Sequence, residues 1–270
     1  MKPSVVQIAY ISDSPNRELD GGIAGTGFFV NNDGYVLTAA HVITETQSQL
    51  RASGATTIEF SVGMSIDDLS SPKAEFRGSF THTKCTIKDI DTNHDVALLE
   101  LAHNPFAPNF VVGIIINGKF PKLTVAAAKL RQDLPPEGQK VLVSGYPLAI
   151  PNLVTQGGMV ASETYAPSKE FIHPPGAPAG VTMPEQISVI LLDAVVNPGN
   201  SGGPVYVPGS DLVIGICEAF KQSPLFTNKS NPVRIGESEF LTENSGLAVV
   251  IPIKYAIELL QKNNIHFQSP

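Results

Sequence analysis

The sequence predicts an all-β protein with one α-helix at its C-terminal end, and two observations lead to this fold class. Polar and apolar residues alternate, with many β-branched residues, in short segments along most of the chain, and a period of two is typical of strands with one buried face. The 270 residues also include 23 glycines and 22 prolines, which favours many short elements joined by tight turns.

The alternating segments predict eleven strands, in the order Val5–Ile11, Gly25–Val30, Tyr35–Ala39, Thr57–Val62, Cys85–Ile87, Val96–Leu101, Leu123–Ala126, Val141–Ser144, Val189–Val195, Leu212–Cys217 and Gly246–Ile251. Between the second and third, residues 32–34 read Asn-Asp-Gly, and an Asp-Gly step tolerates the positive φ of a hairpin turn. The helix is predicted at about residues 253–263, where Ile253, Ile257 and Leu260 fall on one face.

Two stretches have no convincing period. Residues 161–188 contain five prolines and predict a long surface loop, for which a mobile insertion is the preferred interpretation and a functional loop the alternative. Residues 104–122 are also irregular.

Charge excludes several classes of partner. Lys and Arg number 18 against 25 Asp and Glu, a formal net charge of −7, so we expect no binding to nucleic acid or to an anionic membrane surface. The longest aliphatic run is far shorter than the ~20 residues that cross a bilayer. The first residues lack a secretory signal pattern, so a cytoplasmic location is expected unless a leader has been removed.

The two cysteines, Cys85 and Cys217, have no metal-type or C-x-x-C spacing. Two free buried thiols are favoured, with a single disulfide as the alternative. His82-x-x-Cys85 is too little for a metal site, and no zinc, calcium or nucleotide motif is present. We therefore expect no metal and no cofactor.

The sharpest local feature is residues 197–204, which read Asn-Pro-Gly-Asn-Ser-Gly-Gly-Pro. Glycines around Ser201 leave its hydroxyl and the neighbouring backbone N–H groups open to a ligand, and N–H groups aimed at one point suit a tetrahedral oxyanion. A plain glycine turn is the alternative interpretation.

A serine hydroxyl needs a base, and the base needs an orienting acceptor. His41 follows a predicted strand and two small residues, which is consistent with a position at a strand end facing a cleft. Asp95 directly precedes an apolar strand, and a partly buried carboxylate there must be paired. Asp89 and Asp91 are competitors in a more polar run. The other histidines are interpreted as structural, namely His82, His94, His103, His173 and His266.

In the order His, Asp, Ser, these motifs resemble the chymotrypsin-like serine peptidases, and most closely the HtrA/Deg-type protease domain without its PDZ module. The segments that carry the resemblance are 25–28, 37–42, 95–99, 145–147, 193–204, 214–216 and 246–252. The resemblance implies two packed six-stranded antiparallel β-barrels with the active site in the cleft between them. Residues 1–122 would form the barrel with His41 and Asp95, and residues 123–270 the barrel with Ser201.

The resemblance also implies a role for each site residue. Ser201 would be the nucleophile, His41 the general base and then acid, and Asp95 the group that fixes the imidazole tautomer. Backbone N–H groups of Gly199 and Ser201, with that of Asn200, would form the oxyanion hole. The implied activity is a serine endopeptidase that cleaves proteins or peptides through an acyl-enzyme. A homo-oligomer, and a trimer in particular, is an expectation from the resemblance alone.

By the same family pattern, Val195, Ile216 and Val249 would line the pocket for the residue before the cut bond, which predicts a preference for small or medium aliphatic side chains. The segment from Ile216 through Cys217 to Glu218 would offer a strand edge to the substrate.

Two rival interpretations remain. Residues 199–203 also fit the nucleophile elbow of α/β-hydrolases, but that elbow opens a helix and precedes an acid and a His, whereas β-like residues 205–207 follow here. The second rival is a catalytically silent peptide-binding or scaffold module.

Overall fold

The computed structural model describes residues 1–14, 17–66, 80–112, 123–172, 182–226, 233–235 and 239–270. The strands within these residues are β1 (Val5–Ser14), β2 (Arg17–Phe29), β3 (Tyr35–Ala39), β4 (Ile58–Ser65), β5 (Phe80–Asp91), β6 (Val96–Leu101), β7 (Lys129–Leu130), β8 (Lys140–Gly145), β9 (Val154–Ile172), β10 (Met183–Asp193), β11 (Pro204–Val207), β12 (Leu212–Pro224), β13 (Arg234–Ile235), β14 (Glu239–Phe240) and β15 (Thr242–Pro252). The α-helices are α1 (Ala40–Ala52) and α2 (Ile253–Lys262).

The first six strands form a closed antiparallel barrel in the order β1-β2-β3-β6-β5-β4. The β2–β3 hairpin turns at residues 30–34, where the Val30 N–H donates to the Tyr35 carbonyl oxygen at 3.1 Å and Gly34 has φ +86°. The hairpin predicted from the Asp-Gly step is therefore confirmed.

The second sheet has the order β11-β8-β9-β10-β15-β12-β7. Strand β11 also pairs with β12, so the pairings run around a ring of six antiparallel strands. The short β7 adds to β12 in the parallel direction. The predicted all-β class is confirmed, and the predicted boundary at residue 122 lies outside the described residues.

Helix α2 connects the two sheets through the core. One buried cluster combines Phe28 and Leu98 of the first barrel with Ile216 of β12 and with Ala256 and Leu260 of α2. The helix contacts β5, β6 and β12. The terminal helix predicted from its apolar spacing is confirmed. Because α2 packs against both sheets, its buried face needs the regularly spaced apolar residues that made the helix predictable.

Helix α1 was not predicted. Only Ala40, Val42, Ile43 and Leu50 are buried along its thirteen residues, so its apolar face is narrow. Its N-cap residue, Ala39, has no side chain able to cap the first turn. The apolar periodicity and the N-cap residue, which are the two local signals that identify a helix, are therefore both weak in α1.

Two other predictions were wrong. No strand forms at residues 123–126, and the nearest strand is β7. The expected loop at 161–188 is largely a hairpin, because β9 extends to Ile172 and β10 begins at Met183, directly opposite it. Between residues 155 and 167, side chains alternate between exposed and half-buried except at Val160, which is buried, so few apolar residues mark the strand period. Residues 173–181 lie outside the described part of the chain.

The irregular stretch at 104–122 is confirmed for residues 104–112, and the remainder is outside the described residues. Across the helices that the structure describes, none is long and apolar enough to cross a membrane.

Both cysteines are free, with Cys217 buried and Cys85 partly buried. Burial raises the pKa of each thiol to about 12. The free thiols are confirmed, and both stay protonated and unreactive at neutral pH.

The loop before β11 lies tightly against the first barrel at Gly202. This glycine has φ +83°, and a Cβ added to it would overlap the Thr26 carbonyl oxygen and the Thr38 hydroxyl oxygen. The two sheets therefore approach each other here at backbone distance.

We expect Gly202→Ala to destabilise the protein much more than Gly138→Ala. Gly138 has a similar φ of +78° but no atom within 4 Å of an added Cβ, so the control carries only the left-handed backbone cost of about 1–2 kcal/mol. Urea denaturation of both variants measures the difference. Equal losses would mean that the loop moves away from Thr26 at little cost.

Candidate active site

His41 lies in the first turn of α1, directly after β3. Ala39 remains extended, with φ −77° and ψ 144°, and the helix begins at Ala40. Strand β3 pairs with β6 so that Ala39 lies opposite Val96. This register brings the start of α1 next to Asp95, which immediately precedes β6.

Asp95 binds His41 at two points. Its Oδ1 accepts a hydrogen bond from the His41 backbone N–H at 2.8 Å, and its Oδ2 lies 2.7 Å from His41 Nδ1. Because an ionised carboxylate can only accept, the proton of the neutral ring is on Nδ1. Nε2 is then left unprotonated and able to act as a base.

The backbone around Asp95 reinforces this position. Its φ is +54°, a left-handed conformation that Asp tolerates better than most residues, and its carbonyl oxygen accepts from the Ala40 N–H at 3.1 Å. Asp95 is 8% exposed, and its carboxylate provides the cap for α1 that Ala39 cannot provide.

The environment of His41 makes its ring more basic. Burial lowers the pKa of the imidazole, but the hydrogen bond and charge of Asp95, followed by the charges of Glu45 and Glu218, outweigh it and raise the pKa above its ordinary value. The neutral, base form of His41 is therefore lost at a higher pH than in an isolated histidine.

Ser201 and His41 line the same cavity, which has a volume of about 410 Å³ and draws its walls from both sheets. The Ser201 hydroxyl donates to the Glu218 carbonyl oxygen at 2.8 Å, and of the residues that the structure describes, this carbonyl rather than His41 is its hydrogen-bond partner. The structure thus brings the three predicted residues to one cavity, with the hydroxyl donating to Glu218.

The Glu218 carbonyl is available because β12 bulges at this residue. Cys217 pairs with Val250 and Ala219 with Val249, so Glu218 is the extra residue that lies outside the ladder. Bulges of this kind redirect backbone groups beside active sites.

The loop before Ser201 presents two backbone donors. Gly199 has φ +99°, and the Pro198 carbonyl oxygen accepts from the Leu148 N–H at 2.7 Å. Within the described part of the chain, the N–H groups of Gly199 and Ser201 have no hydrogen-bond acceptor. Both are therefore available to a ligand oxygen.

Asn200 differs from the expectation that its amide would join these donors. Its N–H donates to the Asn197 carbonyl oxygen at 3.0 Å, because the loop closes a tight turn there. Its side chain is buried, and Nδ2 donates to Gln156 Oε1 at 3.1 Å.

Thr26, which lies in segment 25–28, contacts the loop before Ser201 at two points. Its N–H donates to the Ser201 carbonyl oxygen at 2.9 Å, and its hydroxyl donates to the Gly199 carbonyl oxygen at 2.6 Å. The same hydroxyl accepts from the Tyr146 N–H at 3.0 Å. Thr26 is completely buried, so one residue of β2 positions the backbone on both sides of Asn200.

Of the five predicted substrate-binding residues, Cys217 and Glu218 line the cavity. Val195 does not line the cavity, and the adjacent residue Val196 takes the place that was expected for Val195. Val195 is 55% exposed and Val196 is 1% exposed, and Val196 lines the cavity, because successive residues of an extended segment point to opposite sides.

Ile216 and Val249 also lie outside the cavity lining. Their side chains are buried in the hydrophobic core, at 0% and 5% exposure. The apolar walls come instead from residues that the sequence pattern did not single out, namely Pro167, Ile187, Val196, Phe220 and Ile251.

The competing carboxylates are used elsewhere. Asp91 binds His94, whose Nδ1 lies 2.6 Å from Asp91 Oδ2, and the His94 ring stacks on Tyr255 with a centroid distance of 4.0 Å. Asp89 contacts Lys262 Nζ at 2.9 Å. The structural interpretation of His94 is thus supported, and His173 lies outside the described residues.

The described residues contain no group of three or more His, Cys, Asp or Glu side chains that could hold a metal ion. The site consists of a serine, a charged His–Asp pair and backbone donors, which is a set suited to nucleophilic attack on a carbonyl carbon.

Comparisons with known proteins identify a matching family and similar chains. A family model described as a trypsin-like peptidase domain matches residues 25–216, which is more than half of the chain. Similar proteins include a serine protease HTR4 of Rattus norvegicus, 29% identical over 79% of this chain and 33% of the relative. A probable periplasmic serine endoprotease, DegP-like, of Halomonas elongata is 27% identical over 87% of this chain and 34% of the relative. The chain thus spans about a third of the length of these relatives.

Solved structures show the same fold at lower identity. A protease of M. tuberculosis in its active form matches with a TM-score of 0.56 at 17% identity, covering 100% of this chain and 84% of that one. The HtrA-type protease AlgW with a decapeptide matches with a TM-score of 0.55 at 19% identity, covering 99% and 66% of the two chains.

We expect Thr26→Val to loosen the loop before Ser201, since a Val methyl can neither donate to Gly199 nor accept from Tyr146. A buried group left without its partner costs about 1–3 kcal/mol. Hydrogen–deuterium exchange should rise across residues 197–203 and the free energy of unfolding should fall. Thr26→Ser, which retains the hydroxyl, is the matched control, and equal exchange in both variants would contradict the positioning role.

Proposed function

The chain belongs to the family of trypsin-like peptidase domains, and on that premise we propose that it is a serine endopeptidase acting through Ser201, His41 and Asp95. The observation that carries the proposal is the double contact of Asp95 with His41, at 2.8 Å and 2.7 Å, in the cavity that Ser201 also lines. These groups have the chemistry that peptide hydrolysis requires.

In the proposed reaction, His41 Nε2 takes the proton of the Ser201 hydroxyl as Oγ attacks the carbonyl carbon. The imidazolium that forms is stabilised by Asp95, and the carbonyl oxygen, now carrying negative charge, accepts from the N–H groups of Gly199 and Ser201. His41 then gives its proton to the leaving amine. Water hydrolyses the acyl-enzyme by the same steps in reverse order.

The Ser201 hydroxyl must first leave the Glu218 carbonyl. Rotation about its Cα–Cβ bond to another staggered position is enough to redirect Oγ. A substrate backbone N–H that donates to the same carbonyl would compete with the hydroxyl and free it for His41.

The substrate backbone would pair with β12 beyond the bulge. From Ala219 to Pro224, β12 pairs with β15 along one edge, and among the described residues no strand pairs with its other edge. An unpaired edge beside the cavity accepts an extended peptide through main-chain hydrogen bonds.

The apolar cavity walls support a preference for small or medium aliphatic residues before the cut bond. Ile187, Val196 and Ile251 form an apolar part of the cavity wall, and no Lys or Arg lines the cavity among the residues that the structure describes. A pocket of this composition favours an apolar side chain over a charged one.

A catalytically silent peptide-binding module is the second candidate function, because the Ser201 hydroxyl donates to Glu218 rather than to His41. Both functions use the β12 edge, and only the peptidase requires a reactive hydroxyl. A cytoplasmic location and a homo-oligomer stay predictions.

We expect a fluorophosphonate probe to label the wild-type protein, and Ser201→Ala to abolish both labelling and peptide cleavage, because Oγ is the proposed attacking atom. Mass spectrometry of a digested peptide library measures cleavage and identifies the residue before each cut, which should be Ala, Val, Leu or Ile.

Ser210→Ala is the matched control, since Ser210 is exposed at the turn between β11 and β12 and should leave labelling intact. Peptide binding without labelling or cleavage would establish the silent module, and a profile dominated by Arg or Lys before the cut would contradict the proposed pocket.

Cleavage should decline as pH falls through the pKa of His41, since the protonated ring cannot accept the Ser201 proton. That pKa is raised, so the midpoint of kcat/KM against pH should lie above the value of about 6.5 typical of histidine. In Asp95→Asn the carboxylate charge is lost, and the midpoint should move to lower pH while the maximal rate falls on the order of 10³–10⁴-fold. NMR titration of the ring in Ser201→Ala checks the assignment, and a His41 midpoint at or below the ordinary value would be inconsistent with it.

A further inference from the structure

Glu45 lies one helical turn after His41 on α1, and both side chains line the cavity. A separation of four residues places two side chains on the same face of a helix. Glu45 is exposed, and its charge contributes to raising the pKa of His41. The carboxylate is therefore within electrostatic reach of the reacting atoms without taking part in the His41–Asp95 pair.

The proposed reaction indicates which part of the substrate would lie near Glu45. In that reaction the acyl side of the substrate would pair with β12, in the second sheet, while the leaving amine would receive its proton from His41, at the start of α1. The residues after the cut bond would then pass over the start of α1. Glu45, which lines the cavity together with His41, would face that part of the substrate.

Charge in the cavity favours a cation at this position. The lining residues include the carboxylates Glu45, Asp95 and Glu218, and neither a Lys nor an Arg is among those that lie in the described part of the chain. Asp95 is paired with His41. The Glu45 carboxylate thus contributes a negative potential to the side of the cavity through which the leaving group departs.

We propose that Glu45 is a specificity-determining residue that selects substrates with Lys or Arg at the first or second position after the cut bond. The inference rests on the proposed peptidase function. A basic side chain there would form an exposed ion pair with Glu45, whereas an acidic side chain would be repelled by it.

Quenched fluorescent peptides test this inference. Three peptides share one aliphatic residue before the cut bond and differ only in Lys, Gln or Glu at the two positions after it. For the wild type, kcat/KM for the Lys peptide should exceed that for the Gln peptide about threefold, as expected for an exposed ion pair, and the Glu peptide should be slowest. The preference should weaken in 0.5 M salt because exposed charges are screened.

Variants assign the preference to one carboxylate. Glu45→Gln should remove it, and Glu45→Lys should reverse it in favour of the Glu peptide. Glu258→Gln, which makes the same charge change at an exposed position of α2, should retain it. The assays are run at pH 9, which keeps His41 in its base form in every variant. The loss of the Glu45 charge then does not change cleavage by altering the protonation of the His41 ring.

The outcomes separate the two proposals. Absence of any cleavage by the wild type would overturn the peptidase function itself. Cleavage of all three peptides at equal rates, or a Lys preference that persists in Glu45→Gln and disappears in Glu218→Gln, would overturn the role of Glu45 and leave the peptidase intact.

Discussion

The rest of the site depends on the Asp95 carboxylate, because it performs a structural and a chemical task at once. One oxygen caps the first turn of α1 through the His41 N–H, and the other holds the His41 ring. The helix start and the imidazole orientation therefore cannot vary independently. Asp95 has a left-handed backbone conformation and lies just before β6, which pairs with β3 in the closed barrel. The register of β3 and β6 therefore determines both where α1 begins and how the His41 ring is oriented.

Ser201, the proposed nucleophile, lies in the loop before β11 of the other sheet, and contacts with β2 and β3 position this loop relative to the first barrel. Thr26 binds the backbone of Gly199 and Ser201, and Gly202 leaves no room for a side chain against Thr26 and Thr38. The two halves of the site are thus held together by buried hydrogen bonds and close backbone packing, without a disulfide bond. Such contacts are costly to break singly, since each leaves a buried polar group without its partner.

Sequence patterns predicted the fold class and proposed a set of site residues. Ser201, His41 and Asp95 could be proposed because a serine among glycines and a carboxylate before an apolar strand are local signals, and the structure places all three around one cavity. Helix α1 could not, since its cap comes from Asp95, 54 positions away. The hairpin of β9 and β10 was missed because most side chains of β9 between residues 155 and 167 are exposed or only half-buried, so few apolar residues mark its strand period. The family pattern placed Val195 in the pocket instead of Val196, because a position in a sequence pattern does not show which of two adjacent side chains faces the cavity.

The two thiols have a consequence for the conditions under which this chain folds. Both cysteines are unpaired, so no disulfide joins the two sheets. Folding therefore needs no oxidant, and reducing conditions remove no cross-link from the native state. The fold does not depend on whether the surrounding compartment is oxidising or reducing.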